Sequence, residues 1–194
     1  MRTAKTFAAM ALLLALAACE SPSLSLQPLV REKDAVFEPA LLGKWVEGED
    51  SMLWEFDKSG ERAYTLTLHG SKGETRIEYV YDARLARLGG YLFVDFRFRA
   101  ARANGESADE MIAALPAHLL GRIWIEDDAV RIRLLEDGWV SKAVKEHRVP
   151  LRHERVEESD ILLTATTEEL QEFALKHATD EEAFSFKLDL SRCK

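Results

Sequence analysis

Hydrophobic and polar residues alternate along many short stretches of this chain, a period typical of half-buried β-strands. The clearest alternation runs through residues 64–69, 91–98, 130–134 and 184–191. Shorter apolar runs predict further strands at 52–56, 75–83, 122–126, 139–144 and 161–164. Tight turns separate these segments, which indicates an antiparallel meander of about eight to ten strands. We expect the meander to close into a barrel, because an open sheet of this size leaves long exposed edges.

Two segments carry a helical period instead. Thr166 and Glu169 have the spacing of a capping box, and an apolar helix face follows at Leu170, Phe173, Ala174 and His177. A shorter helix is predicted at 109–115, with Ser107 as its cap and Pro116 limiting its length. The predicted fold class is therefore mainly β: an antiparallel meander closing into a barrel, with a C-terminal helix and a short inserted helix.

The N-terminus has another pattern. Arg2 and Lys5 precede an apolar run of about ten residues, too short for a bilayer core that needs roughly twenty. Ala17, Ala18 and Cys19 follow this run. The order resembles the lipobox of bacterial lipoproteins, and the resemblance implies cleavage between Ala18 and Cys19 and acylation of Cys19. The alternative is an ordinary cleaved signal peptide with a cysteine beside the cut.

The lipobox resemblance implies a location and a domain organisation. Two or three acyl chains anchor a protein stably in a membrane, and Glu20, rather than Asp, after the cysteine favours the periplasmic face of the outer membrane. Residues 1–18 are then the signal peptide. Residues 19–37 are the lipidated cysteine and a flexible tether containing Pro22 and Pro28. Residues 38–194 are a single β-barrel domain that begins at a helical turn with Pro39 in its first position.

Charge and cysteine content narrow the partners. The net charge is −8, and removal of Arg2 and Lys5 with the signal peptide makes it −10. An acidic protein is a poor ligand for nucleic acid, so the expected contact is with a membrane, through the lipid anchor. Cys193 is the second of the two cysteines, which leaves no intramolecular disulfide once Cys19 is acylated. Cys193 is a tolerated free thiol or forms an intermolecular bridge.

Gly43 and Trp45 open the first long strand of the meander. A Gly-x-Trp at this place, before a meander and a late helix, resembles the lipocalin and calycin group over residues 41–194. The resemblance implies that Trp45 plugs the closed end of an up-and-down barrel beside an arginine near the end of the last strand. Three arginines are open for that role, namely Arg152, Arg155 and Arg192. Alternatively, Trp45 is a core aromatic at the start of a strand.

Polar and aromatic residues share one face of segment 91–98, namely Tyr91, Phe93, Asp95 and Arg97. The other face is continuously apolar. If the apolar face packs inside the barrel, these four side chains point outward into solvent. If it packs against a helix or a partner, they line a cavity and are candidate ligand contacts. A buried charge requires a partner, which favours the solvated arrangement.

The sequence contains no recognisable catalytic motif. Its five histidines lack metal-ligand spacing, and no Gly-x-Ser-x-Gly elbow is present. We therefore predict no enzyme activity, no cofactor and no metal. The first functional hypothesis is a non-catalytic envelope module that binds a small apolar or amphipathic ligand inside the barrel. The alternative is an envelope scaffold or interaction protein whose barrel is filled by its own side chains, and a hydrolase of envelope material is third.

Overall fold

The computed structural model of this chain describes residues 21–48, 52–107, 117–156 and 161–193. These residues form thirteen strands of one sheet and two α-helices. The strands are β1 (Leu24–Ser25), β2 (Ala35–Val36), β3 (Gly43–Val46), β4 (Leu53–Lys58), β5 (Tyr64–Lys72), β6 (Thr75–Leu88), β7 (Tyr91–Ala103), β8 (Glu106–Ser107), β9 (His118–Ile125), β10 (Ala129–Leu134), β11 (His153–Arg155), β12 (Ile161–Leu163) and β13 (Phe186–Arg192). The helices are α1 (Asp137–Lys145) and α2 (Thr167–Lys176).

Eight of these strands close into an antiparallel barrel. Around the barrel the order is β3, β4, β5, β6, β7, β9, β10 and β13, which is also the order along the chain. The last strand returns to the first, where Arg192 pairs with Trp45. The predicted fold class, a mainly β meander that closes into a barrel, is confirmed, and strand accounts for 51% of the structure.

The barrel interior is filled by the side chains of its own strands. Because successive side chains in a strand point to opposite faces, every second residue turns inward. The fully buried inward side chains include Trp45, Phe56, Tyr64, Leu66, Leu85, Ile123 and Ile132. Burial of each such side chain stabilises the fold by about 1.5–3 kcal/mol relative to exposure. A barrel of eight strands is just wide enough to be packed in this way.

A second hydrophobic core lies on the outside of the barrel wall. It joins the wall to both helices and to the N-terminal segment through a set of buried side chains that includes Leu29, Val30, Ala86, Phe93, Leu120, Trp139, Phe173 and Phe184. Strand β7 serves both cores, because Val94 faces the barrel interior and Phe93 faces the outer core. The centroids of the Phe93 and Phe184 rings are 6.3 Å apart. The wall around β7 is therefore buried on both sides.

The helices confirm one prediction and correct another. Helix α2 begins with the predicted capping box between Thr166 and Glu169. The strand predicted at 139–144 is wrong, because this segment belongs to helix α1. Its buried residues recur at helical spacing, as Trp139, Val140, Ala143 and Val144. The Glu136 side chain caps the helix by accepting a hydrogen bond from the Gly138 amide at 2.9 Å.

Two further predictions concern the ends of elements. The last strand begins at Phe186 rather than at 184, because turns occupy the residues before it. The short helix predicted at 109–115 lies outside the described residues. Neither helix in the described ranges is long and apolar enough to cross a membrane.

Residues 21–37 lie against the barrel, so the prediction of a flexible tether over them is wrong. Strand β1 pairs with β9 and with β12, and β2 pairs with β6. The residues that suggested a tether have fixed partners here. Ser25 is buried and its hydroxyl donates to the Gln27 carbonyl at 2.8 Å, and the Pro28 carbonyl accepts from the Thr167 hydroxyl at 2.7 Å. The segment is part of the folded domain.

Candidate functional site

The Gly43 and Trp45 motif lies where the barrel closes. The indole N–H of Trp45 donates to the Leu41 carbonyl at 2.9 Å. Of the three arginines that the sequence left open, Arg192 covers the indole, with its guanidinium carbon 4.1 Å from the ring centroid. Gly43 has a φ of +111°, and a Cβ atom there would lie 3.3 Å from Arg192 Nη1. The motif therefore closes and seals the barrel.

The four residues singled out on β7 separate into different environments. Phe93 is fully buried in the outer core, and Tyr91 is half-buried under the guanidinium of Arg122, whose carbon is 4.5 Å from the ring centroid. Asp95 is only 4% exposed, whereas Arg97 is exposed. The prediction that this face is solvated is therefore wrong for Phe93 and Asp95. It fails because the N-terminal segment and the helices cover the outer wall here.

Asp95 holds the N-terminal segment on the barrel. Its Oδ2 accepts hydrogen bonds from the backbone amides of Leu29 at 2.7 Å and Val30 at 3.1 Å. Its Oδ1 lies 2.6 Å from Nδ1 of His118 on the neighbouring strand β9. These three partners satisfy a buried carboxylate that would otherwise be costly to desolvate. Asp95 therefore has a positional role, and it also orients the imidazole of His118.

The second nitrogen of His118 is available. Nε2 has no hydrogen-bond partner among the described residues, and it is not among the fully enclosed polar atoms without partners. The side chain of His118 is 12% exposed and lines a pocket on the outer wall of the barrel. Because Nδ1 is engaged with Asp95, Nε2 is the atom through which His118 can contact a ligand.

This pocket, the anion pocket below, has a volume of about 280 Å³. Its polar lining comes from outward-facing positions on β6, β7 and β9, and the N-terminal segment forms one side. The lining residues are Pro28, Val30, Ser59, Ala63, Tyr64, Asp82, Ala83, Arg84, Asp95, Arg97, Arg99 and His118. Strand register brings the charged residues together, because Asp82 pairs with Arg97, Arg84 with Asp95, and Arg97 with His118.

Positive charge exceeds negative charge in the anion pocket. Arg99 lies 3.0 Å from Asp82, and Arg97 lies 4.0 Å from the other oxygen of the same carboxylate. The backbone of Arg84 pairs with Asp95, but the Arg84 side chain makes no hydrogen bond or ion pair within the described residues. The Asp95 carboxylate is already engaged by backbone amides and by His118. Three guanidinium groups thus line the pocket, two of them paired with the Asp82 carboxylate and the third, that of Arg84, unpaired within the described residues. This arrangement is suited to a carboxylate or phosphate ligand.

Two larger hollows differ from the anion pocket in the pairing of their charges. A neighbouring hollow of about 330 Å³ shares Arg84 with the anion pocket but adds Glu32, Glu61 and Arg62. A groove of about 700 Å³ runs over β9, β10 and β13 and contains Arg122, Trp124, Arg131, Arg133, Lys187, Asp180, Glu181 and Glu182. Its four basic side chains exceed its three acidic ones by one, but Arg131 is paired with Glu126 and Arg133 lies 2.7 Å from Asp189. Burial lowers the pKa of Arg122 in this groove.

The sequence could have revealed more of the anion pocket than we predicted. Asp95 and Arg97 are predicted as possible ligand contacts, whereas Arg84 and Arg99 are not, and the prediction does not place His118 beside them. Gly89 and Gly90 form the turn between β6 and β7, so residues equally far from this turn become partners. That register alone places Arg84 beside Asp95. His118 reaches the pocket through the pairing of β9 with β7, which joins segments that are distant in sequence and gives no comparable local signal.

No family model, curated protein or solved structure matches this chain. Within the described residues, no group of three or more histidine, cysteine, aspartate or glutamate side chains could hold a metal ion. The candidate site therefore rests on the geometry of the anion pocket.

Proposed function

We propose that this chain is a lipid-anchored protein of the bacterial cell envelope that binds a small anion in the anion pocket. The observation that carries this proposal is the set of three guanidinium groups that line the pocket: Arg97 and Arg99 beside the Asp82 carboxylate, and Arg84, whose side chain is unpaired within the described residues. Arginine presents planar pairs of donors that match carboxylate and phosphate oxygens. The chain carries a net charge of −8, so a cluster of arginines on its surface is unusual and favours a binding role for this pocket.

The anchor is proposed from the sequence. A charged N-terminus, a short apolar run and Ala17-Ala18-Cys19 support processing before Cys19 and its acylation, with the outer membrane as the location. Cys19→Ala should move the protein from the membrane fraction to the soluble periplasmic fraction. A Cys19→Ala variant that stays in the membrane fraction would refute the anchor and leave the binding proposal standing.

The proposed ligand differs from the one that the sequence favoured. An apolar ligand inside the barrel requires an internal cavity of roughly 300 Å³ or more. Here Trp45, Phe56 and Tyr64 occupy the interior together with neighbouring aliphatic side chains. We still propose a lipocalin-like construction, supported by the eight-stranded meander and the contact of Arg192 with Trp45. The proposed ligand site is therefore the anion pocket on the outer wall and not the interior of the barrel.

We propose binding without catalysis. The His118 and Asp95 pair has the relative orientation of a general base and its positioning residue, since Nδ1 faces the carboxylate. However, Asp95 also fixes two backbone amides of the N-terminal segment, which gives the pair a structural purpose. Nε2 of His118 serves the proposed function as a hydrogen-bond donor or acceptor for the bound anion.

An envelope scaffold is the second candidate. The filled interior favours it, and so do the apolar side chains that the surface exposes, with Leu24 at 43% and Val156 at 64%. In-cell crosslinking of the full-length protein distinguishes the two. A stoichiometric protein partner that remains after Arg84→Ala and Arg97→Ala substitution would favour the scaffold.

The binding test uses calorimetric titration of the full-length protein with inorganic phosphate, acetate and laurate. The double substitution Arg84→Ala, Arg97→Ala should weaken phosphate or acetate binding by at least about tenfold, since each charge-assisted hydrogen bond contributes about 1.5–3 kcal/mol. Arg76→Ala is the matched control, because Arg76 is an exposed residue on the same strand outside the anion pocket. It should leave the affinity unchanged.

Three results would contradict the binding proposal. The first is no binding of phosphate or acetate to the unaltered protein. The second is equal binding by the double variant and by the Arg76→Ala control. The third is binding of laurate, but not of phosphate or acetate, with an affinity that the double substitution does not change. That result would indicate an apolar ligand site. Binding should also weaken with added salt, because the attraction is between partly exposed charges.

A further inference from the structure

Three exposed aliphatic side chains and the half-buried Leu162 lie on the part of the sheet that extends from the barrel beyond β9. Leu24 is 43% exposed, Leu26 is 37% exposed and Val156 is 64% exposed. Leu24 is the register partner of Leu162, so these two side chains lie on the same face of the sheet. We call Leu24, Leu26, Val156 and Leu162 the leucine patch.

Strand alternation explains why these residues share a face. In β1, Ser25 is buried while Leu24 and Leu26 on either side of it are exposed. The partner of Ser25 is Leu163, which is fully buried in the outer core. Leu162 therefore faces the opposite way, and Glu154 pairs with it from β11. Val156 is the first residue after β11 and is exposed, and extended backbone continued from Glu154 would place it on the same face.

The position of the patch along the chain indicates what covers it. Ser21 is fixed on the folded domain, because its carbonyl accepts from the Asp137 amide at 3.0 Å. Two residues further along the chain, the amide of Ser23 donates to the Leu135 carbonyl at 2.7 Å. Only Glu20 separates Ser21 from Cys19, and the two steps between their Cα atoms span at most about 7 Å. A lipid anchor on Cys19 would therefore bring the bilayer surface to within that distance of Ser21.

We infer that the leucine patch contacts the bilayer to which Cys19 is anchored. This inference rests on the proposed lipid anchor. Leu24 lies three residues beyond Ser21, about 10 Å along an extended strand, so it is within reach of the lipid headgroups. Transfer of exposed aliphatic groups from water to the boundary between headgroups and acyl chains lowers the free energy. The domain then rests on the membrane on one defined face instead of hanging from a tether.

Charge limits the kind of lipid that the patch meets. Glu154 lies on the patch face, and Glu136 and Asp137 lie beside Ser21. These carboxylates are repelled by anionic headgroups, so a zwitterionic surface is the better match. Contact through Leu24 and Leu26 needs no basic residue, unlike the electrostatic attachment of a polybasic protein.

The test places a polarity-sensitive dye on the full-length acylated protein in phosphatidylcholine vesicles. Cys193 is replaced by serine, and single cysteines are introduced by Leu26→Cys or Val156→Cys. Leu175→Cys is the matched control, since Leu175 is 39% exposed and packs at Gly89, at the far end of the hairpin of β6 and β7. The leucine patch lies well away from that hairpin turn. Leu24 pairs with Leu119 of β9, and Leu119 pairs with Phe96 of β7. Phe96 is about 20 Å from the turn along β7.

We expect the dye at positions 26 and 156 to shift to the blue on addition of vesicles and to be quenched by brominated acyl chains. The dye at 175 should report water throughout. Mass spectrometry of the N-terminal peptide is the separate check on acylation. If Cys19 is acylated and positions 26 and 156 still report water, the patch inference is overturned while the anchor stands.

Two other outcomes are also decisive. A dye at position 26 that reports burial before vesicles are added would show that a second copy of the protein covers the leucine patch, and this overturns membrane contact. An N-terminal peptide without acyl chains would refute the anchor. In that case, a blue shift that appears only with vesicles would still support membrane contact through the leucine patch. The absence of a shift would refute both the anchor and the membrane contact.

Discussion

Asp95 connects two distant parts of the chain through a single carboxylate. It accepts from the amides of Leu29 and Val30, which precede it by 66 and 65 residues, and it lies 2.6 Å from His118. A buried carboxylate with several charge-assisted hydrogen bonds stabilises the folded state because its removal leaves buried donors without acceptors. Substitution of Asp95 should therefore lower the free energy of unfolding by more than the burial of its own side chain accounts for.

Asp95→Ala should lower the free energy of unfolding by about 2–4 kcal/mol, since it leaves the amides of Leu29 and Val30 unsatisfied. Asp95→Asn should cost less, because its side-chain oxygen still accepts from these amides. Urea unfolding measures the difference, and hydrogen exchange at Leu29 and Val30 reports the local opening. Asp82→Ala on the neighbouring strand is the control and should change little, because the Asp82 side chain is exposed. Equal urea midpoints for all three variants would contradict the prediction.

At the scale of the element, helix α2 is stabilised at its start by a pH-sensitive group. Hydrogen bonds from the Arg152 side chain and from the Thr166 amide lower the pKa of Glu169. A carboxyl whose folded-state pKa is lowered contributes stability that is present above its unfolded-state pKa. This contribution is lost as the pH falls through the folded-state pKa. The N-terminal end of α2 should therefore weaken in acid.

Glu169→Gln should lower the melting temperature at neutral pH, because it removes the negative charge that pairs with Arg152 at the start of the helix, although glutamine can still complete the capping box. The difference between variant and unaltered protein should narrow as the pH falls below about 4.3, the usual pKa of a glutamate in an unfolded chain, and disappear below the lowered folded-state pKa. Thermal unfolding across pH measures this. Glu172→Gln, an exposed position of the same helix, should show no such pH-dependent difference. A Glu169→Gln deficit that is constant across pH would contradict the assignment.

At the scale of the whole molecule, one wall separates two cores. Phe56 lies in the barrel interior and Phe184 lies in the outer core, and β7 supplies side chains to both. Loss of either core removes packing from the shared wall, so the two cores should unfold as one cooperative unit. The helices are therefore as much a part of the barrel's stability as its strands.

Phe56→Ala and Phe184→Ala should each cost about 3–5 kcal/mol, the range for loss of a large buried aromatic. Each variant should still show a single transition in which the near-ultraviolet and far-ultraviolet circular dichroism signals coincide. Val156→Ala is the control, since Val156 is exposed. Two separated transitions in either phenylalanine variant would mean that the cores unfold independently.

The sequence predicted the elements whose signals are local. Alternation found the strands, the capping box of Thr166 found helix α2, and the Gly89-Gly90 turn fixes the register of β6 and β7. The pattern wrongly predicts a strand at 139–144, because four buried apolar residues in a short segment suit a strand as well as a helix, and the Glu136 cap is what marks the start of helix α1. The docking of residues 21–37 was missed because it depends on partners far along the chain.

The attachment of residues 21–37 has a consequence for the order of folding events. Synthesis delivers this segment before the rest of the folded domain, yet its binding partners arrive late: Thr167 follows Pro28 by 139 residues. Most of the barrel must therefore assemble before this segment can bind to it, because contacts between residues far apart in sequence form slowly. If Cys19 is processed as proposed, the processing enzyme would meet an N-terminal segment that has not yet bound to the barrel.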